Sequence, residues 1–270
     1  MSHQPSFALL ALGGLLLSSA AVHAQTNIIS FSFSGNPNTP QIVQPQLSAG
    51  VVSAPNFNTD NGGNSGGGYP LTYSDAMDSG ASVSAYNSYD SQNNNLAKNA
   101  NYSTDGNQQL MNGFIESGPS AAANAAATVT VDAVPFTTYS LYVYAYNGSL
   151  SSPGTIGTYT VTPSGSLTGT SQDAMLQSTF DPANPFTQAT ATTAGDYLLF
   201  TGLTGSSFTL TANRTTGDTS STTFIPIDGF QIVATPAAVP EASTTVSLGL
   251  LLALGLGGFA VARKKAASVN

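Results

Sequence analysis

Apolar and polar residues alternate with a period of two along much of this chain. Ile29, Phe31 and Phe33 are interleaved with Ser30, Ser32 and Ser34, the pattern of a strand with one face buried. Tyr139, Leu141, Val143 and Ala145 alternate with Ser140, Tyr142, Tyr144 and Tyr146. Reading Leu141 and Val143 inward leaves the three tyrosines Tyr142, Tyr144 and Tyr146 as a ladder on the other face. The same period, with many β-branched residues, predicts strands around Val129 and Val131 and over 158–162, 196–201, 207–212 (Phe208 and Leu210 inward) and 229–233. Asn147-Gly148 and Pro153-Gly154 supply turns between them. The tract 35–68 is rich in Asn, Pro, Gly and Ser, interrupted by Val51-Val52; its end, 60–68, reads as a flexible loop, and 84–109 as long loops with short strands. Away from the two ends, only 107–116 offers a helical turn or two, around Leu110, Met111 and Phe114. The prediction is an all-β fold, an antiparallel β-sandwich of jelly-roll type.

The two ends follow a different rule. Residues 7–17 form an apolar run, and Val22-His23-Ala24 before Gln25 has the small-x-small form of a signal-peptidase site. We therefore expect a signal peptide over 1–24, cut between Ala24 and Gln25. At the other end, 246–262 (VSLGLLLALGLGGFAVA) carries no charge. As a helix it would span about 25 Å, near the low end of what crosses a bilayer. Arg263, Lys264 and Lys265 follow it, and such cations mark the cytoplasmic side. This predicts a single transmembrane helix with everything before it outside. Between the ends lie a sandwich domain over 25–234 and a short linker over 235–238, kept extended by Pro236 and Pro240.

The tail as a whole resembles a PEP-CTERM sorting signal, spanning 239–265. Val239, Pro240, Glu241, Ser243 and Thr244 match the family's Val-Pro-Glu-Pro-Ser-Thr motif, and Ala242 stands where the family has a second proline. The resemblance implies recognition by the membrane protease exosortase. It also implies insertion into the inner membrane, then display at the cell surface or in the exopolysaccharide matrix. A second, shorter resemblance joins 205–212 and 228–233 to the closing strands of galactose-binding-like sandwiches in other PEP-CTERM proteins. Together they imply a structural or adhesive envelope protein, with a carbohydrate-binding, lectin-like module as the alternative.

Charge narrows the partners. Only 7 % of the 270 residues are charged, against about 25 % in ordinary domains. Between the signal peptide and the tail, Lys98 and Arg214 face a dozen acids running from Asp60 to Asp228. Binding phosphates needs clustered cations, so nucleic acid is excluded as a partner. There is no cysteine, and His3 and His23 both lie in the signal peptide. The mature chain thus has no imidazole or thiolate for triad chemistry or a Cys/His zinc site.

What remains is oxygen chemistry. Asp75, Asp78, Asp90, Glu116, Asp132, Asp173, Asp196 and Asp228 could in principle supply the paired carboxylates of a glycosidase or lyase. Their spacing singles out no pair, so no catalytic residue is assigned and the protein reads as a non-enzyme. Lys98, in an Asn-rich tract, reads as solvated rather than as a Ser-Lys base. No cofactor is called for; calcium is the one metal the chain invites, with Asp60 and Asn64 as hard oxygen ligands, against a plain reading of 60–68 as a glycine turn. Tyr86, Tyr89 and Tyr102, each near asparagines, have the composition of a sugar platform. For Tyr142, Tyr144 and Tyr146 the simpler reading is a second buried face of their sheet.

Overall fold

A computed structural model describes residues 28–34, 43–60, 68–87, 90–93, 102–118, 126–146, 148, 155–166, 168–181, 184–215 and 224–235, with backbone alone at 85, 87 and 90–93. The strands are β1 (Ile28–Phe33), β2 (Asn58–Asp60), β3 (Tyr69–Thr72), β4 (Asp78–Asn87), β5 (Asp90–Asn93), β6 (Gly113–Glu116), β7 (Ala127–Asp132) and β8 (Thr138–Tyr144). They continue with β9 (Ile156–Pro163), β10 (Thr170–Leu176), β11 (Ala194–Gly195), β12 (Tyr197–Thr204), β13 (Phe208–Arg214), β14 (Pro226–Ile227) and β15 (Gly229–Ala234). One short helix, α1 (Gly106–Leu110), precedes β6. Five strands make one sheet, in the order β12-β8-β15-β1-β2, and seven make the other, β11-β10-β9-β13-β7-β4-β3. A small third sheet, β14-β6-β5, completes the set. Among the described strands only β1–β2 and β10–β11 pair in parallel.

The period-two pattern explains the packing. In β7, β9 and β13 every second residue is buried, and these residues (Val129, Val131, Tyr159, Val161, Phe208 and Leu210 among them) point into one core. Ile29, Phe31, Leu141, Val143, Phe230 and Ile232 enter the same core from the five-stranded sheet. The two sheets therefore face each other as a sandwich. Aromatic rings bridge the layers: Phe208 meets Phe230 at 6.3 Å and Tyr139 at 6.1 Å, and Tyr86 meets Phe33 at 5.7 Å. The outer face of the seven-stranded sheet is threonine-rich, with Thr130 and Thr209 hydroxyls 3.3 Å apart and Thr160 and Ser171 2.8 Å apart across neighbouring strands. β-branched side chains with a polar tip suit such a half-wet face.

The five-stranded sheet departs from the half-buried expectation. Every residue of β1 is buried, Ser30 and Ser32 included. A parallel β1–β2 pair needs a crossover, and the described part of that connection, 43–57, lies over the sheet's outer face. Val43, Ala49 and Phe57 from it pack with Leu110 and Met111 against Tyr144 and Tyr146. The segment 43–57 is thus a packed layer, and the tyrosine ladder faces that layer. Of the 107–116 expectation, α1 supplies the helical turn; Phe114 belongs to β6. Asp105 caps α1, its Oδ1 accepting from Asn107 N at 2.9 Å and Gln108 N at 3.2 Å, as an N-cap should. Within 84–109, β4 continues to Asn87 along β7, with a register shift between Val83 and Ala85, and the short β5 follows.

Strand directions give the sandwich two unlike ends. Ile28 pairs with Val233, and Thr235 N donates to Thr138 O at 2.9 Å, so the first and last described strands start and finish side by side. That end carries the short connections 73–77, 133–137 and 205–207. β2, β4, β8 and β13 finish, and β9, β12 and β15 begin, at the other end, as the strand registers require.

Candidate functional site

Three groups of polar side chains tie the sheets to each other and to the layer over them. The first is built on β2, β3 and β4. Asp60, the last residue of β2, is buried, and the Tyr86 hydroxyl donates to its Oδ2 at 2.7 Å. Tyr69 from β3 lies beside them, its ring 6.3 Å from that of Tyr86. Its phenol is pushed up chiefly by its hydrogen bond to Asp60, then by burial. Burial and then the same carboxylate push the Tyr86 phenol far above the usual tyrosine range. Tyr86 is only 6 % exposed, so it is not the open ring a sugar platform requires. Tyr102 is half-buried against the outer cluster, and burial, opposed by Asn112, pushes its phenol up to about 12. Tyr89 and Asn64 lie outside the described residues, as do Ala24, Gln25, the 239–244 motif, the 246–262 segment and Arg263, Lys264 and Lys265.

The Asp60–Tyr86 bond ties β2 of one sheet to β4 of the other. A phenol on a buried carboxyl is worth about 1–3 kcal/mol. Tyr86→Phe keeps the ring and removes the bond, and should lower stability by that amount in a denaturant titration. A change below about 0.5 kcal/mol would show that the pair holds nothing.

The second group links the outer layer to the five-stranded sheet. Gln231, buried in β15, donates to Ser30 Oγ at 3.1 Å and to Val52 O at 2.9 Å. Its Oε1 accepts from the Tyr144 hydroxyl, which in turn accepts from Val51 N at 2.8 Å. Asn107 Oδ1 accepts from Gly50 N at 3.0 Å and Gln109 Oε1 from Gln44 N at 2.8 Å. These bonds satisfy backbone groups of 44–52 that the layer takes out of water.

The third group holds Asp196 and Asp228. Asp228 Oδ2 accepts from Tyr146 N at 2.7 Å, and Asp196 Oδ1 from Thr187 N at 2.9 Å. Both carboxyls are buried, and burial pushes that of Asp196 up to about 7. Over the neighbouring ladder, Phe186 sits 5.3 Å from Tyr144, Phe180 5.9 Å from Tyr146, and Tyr142 6.1 Å from Tyr197. Tyr144 and Tyr146 of the ladder are buried, and Tyr142 is half-buried.

Chemically, these groups clasp backbone. Glu116 is buried in β6, while Asp75, Asp78 and Asp173 are exposed; these three accept from Met77 N, Gly80 N and the Thr158 hydroxyl respectively. Among the described residues no three acidic, His or Cys side chains gather as a metal site, and no helix is long and apolar enough to cross a membrane. Sequence reasoning missed Gln231 and the roles of Asp196 and Thr187. Gln231 sits two residues from Gly229 and Val233 on the face that alternation assigns to solvent, and Thr187 has no regular spacing to Asp196. No family model matches the chain, and no curated protein matches it.

Proposed function

We propose that this is an exported cell-envelope protein, sorted by exosortase, with a structural or adhesive role at the surface or in an exopolysaccharide matrix. The observation that carries this reading is the tail: Val239-Pro240-Glu241, Ser243 and Thr244, then an uncharged 246–262 segment, then Arg263-Lys264-Lys265. The shape of the domain supports it. The chain leaves the last strand where the first begins, at the end with short turns. A membrane anchor after 235 would hold that end close and turn the opposite end of the sandwich outward. We read the sandwich as jelly-roll-like, because the chain from β7 to β15 alternates repeatedly between the two sheets.

Intact mass and fractionation of the protein from its native host test the proposal. The expected product starts at Gln25, ends near Glu241, and is recovered from the surface or medium. A chain retaining 246–265 in the inner membrane would defeat the sorting reading and leave a plain anchor. Deleting 246–265 should release a folded, soluble domain whose melting matches that of the full chain. If the deletion instead abolishes folded protein, the tail belongs to the fold.

A further inference from the structure

β15 is the last described strand, and the chain passes from it to the tail. It lies inside the five-stranded sheet, paired antiparallel with β8 on one edge and with β1 on the other. Just before it, Asp228 N donates to Tyr144 O and Asp228 O accepts from Phe33 N, both at 2.9 Å, while Asp228 Oδ2 accepts from Tyr146 N at 2.7 Å. In its middle, Gln231 bonds in three directions. Its Nε2 donates to Ser30 Oγ in β1 at 3.1 Å and to Val52 O in the outer layer at 2.9 Å, and its Oε1 accepts from the Tyr144 hydroxyl in β8. Asp228 and Gln231 are both buried, so water does not compete for these bonds. At the exit from the strand, Thr235 N donates to Thr138 O at 2.9 Å. On the opposite face Phe230 packs in the core against Phe31 and Phe208.

We propose that β15 is a tension-bearing strand: a pull on the tail enters it lengthwise, and Asp228 and Gln231 pass that pull into both neighbouring strands and the outer layer. A pull between the tail and the opposite end of the sandwich runs along β15. Its two ladders and the bonds of Asp228 and Gln231 are then strained together and must break together. A pull between the first and last strands acts differently. Ile28 pairs with Val233 at the end where the chain leaves, so that pull opens the β1–β15 ladder one pair at a time. Gln231, opposite Ser30, is reached only after the outer pairs have parted. The same bonds therefore resist one direction more than the other. The direction they resist is that of a domain anchored by its tail and gripped at its far end. That source of the pull rests on the function proposed above, whereas the path of the pull rests on the strand registers and the bonds of Asp228 and Gln231.

Single-molecule pulling on the full chain in mild detergent tests this. The sequence has no cysteine, so introduced cysteines fix the handles. Thr235→Cys with Asn213→Cys, both at exposed positions and the second near the far end of β13, gives the lengthwise pull. Thr235→Cys with a handle at the amino terminus opens the β1–β15 pair. At one loading rate the lengthwise pull should need the higher force. Gln231→Met keeps the length of the side chain and removes its bonds. It should unfold about tenfold faster under the lengthwise pull, and about twofold faster at most under the terminal one. Forced unfolding reads the unfolding rate along the pulled direction, so a variant that is merely less stable would speed both pulls alike. Equal forces in the two geometries, or the same factor in both for Gln231→Met, would overturn the proposal. The comparison of the two pulls decides by itself if Gln231→Met does not fold. Failure here leaves the sorting reading standing, because fractionation of the native protein reads that separately.

Discussion

Replacing Phe230 with alanine should cost about 3–5 kcal/mol of stability, the range for emptying a fully buried aromatic site. The ring is 0 % exposed. It stacks on Phe31 within its own sheet at 5.3 Å and meets Phe208 of the facing sheet edge-on at 6.3 Å. Both neighbours are themselves buried in strands paired on both sides, so the site cannot collapse by moving one element. Most domains hold only about 5–15 kcal/mol in total, so the variant would lose a large part of its margin. Denaturant unfolding should show a lower midpoint with an unchanged slope. Phe230→Leu, which restores much of the volume, should lose less than Phe230→Ala. A loss under about 1 kcal/mol in Phe230→Ala would mean that the two sheets are not packed through this ring.

Gly50→Ala should be the most damaging change in the outer layer, at roughly 2–4 kcal/mol, the sum of backbone strain and overpacking. Gly50 has φ +90, where an L side chain is strained, and a Cβ there would stand 2.6 Å from Gln231 Cδ and 2.7 Å from the Tyr144 hydroxyl, with Gln231 Oε1 in its path. Neither side chain can yield cheaply. Gln231 is 0 % exposed and held by Ser30 and Val52, and Tyr144 is 0 % exposed and bonded to Val51. Gly80 is the control: its φ is +73, but a Cβ there meets nothing within 4 Å. Gly80→Ala should show the strain alone, about 1–2 kcal/mol. If thermal melts put the two variants level, the 43–57 layer is not pinned by contact at Gly50.

The strands that were legible in the sequence share one property. In β7, β9 and β13 each buried side chain is flanked by polar or half-exposed neighbours, so a period of two survives in the residue types. β10, β3 and β14 left weaker marks because they are short, or carry one or two core residues such as Ala174 and Leu176, Leu71, and Ile227. β1 was found but misjudged. Serine is small enough to sit under a covering layer when its hydroxyl has a partner, as Ser30 has in Gln231 and Ser32 in Thr59. Polarity at alternate positions therefore does not prove exposure.

The candidate sites divide along the same line. By itself the sequence determined the all-β sandwich class, the absence of cysteine, and the confinement of histidine to positions 3 and 23. Each depends on residue types in a contiguous stretch, or on composition, and needs no knowledge of what lies across the fold. Only the tertiary structure decided that 43–57 is a packed layer, that Tyr86 is a buried clasp on Asp60, and that Asp196 is buried with its carboxyl on Thr187 N. Those facts depend on pairs brought together from far apart, such as Gln231 with Val52 and Ser30, and on water being shut out of the space between them. A buried amide or carboxyl takes its role from the partner that burial forces on it, and that partner is chosen by strand register rather than by its neighbours in the chain.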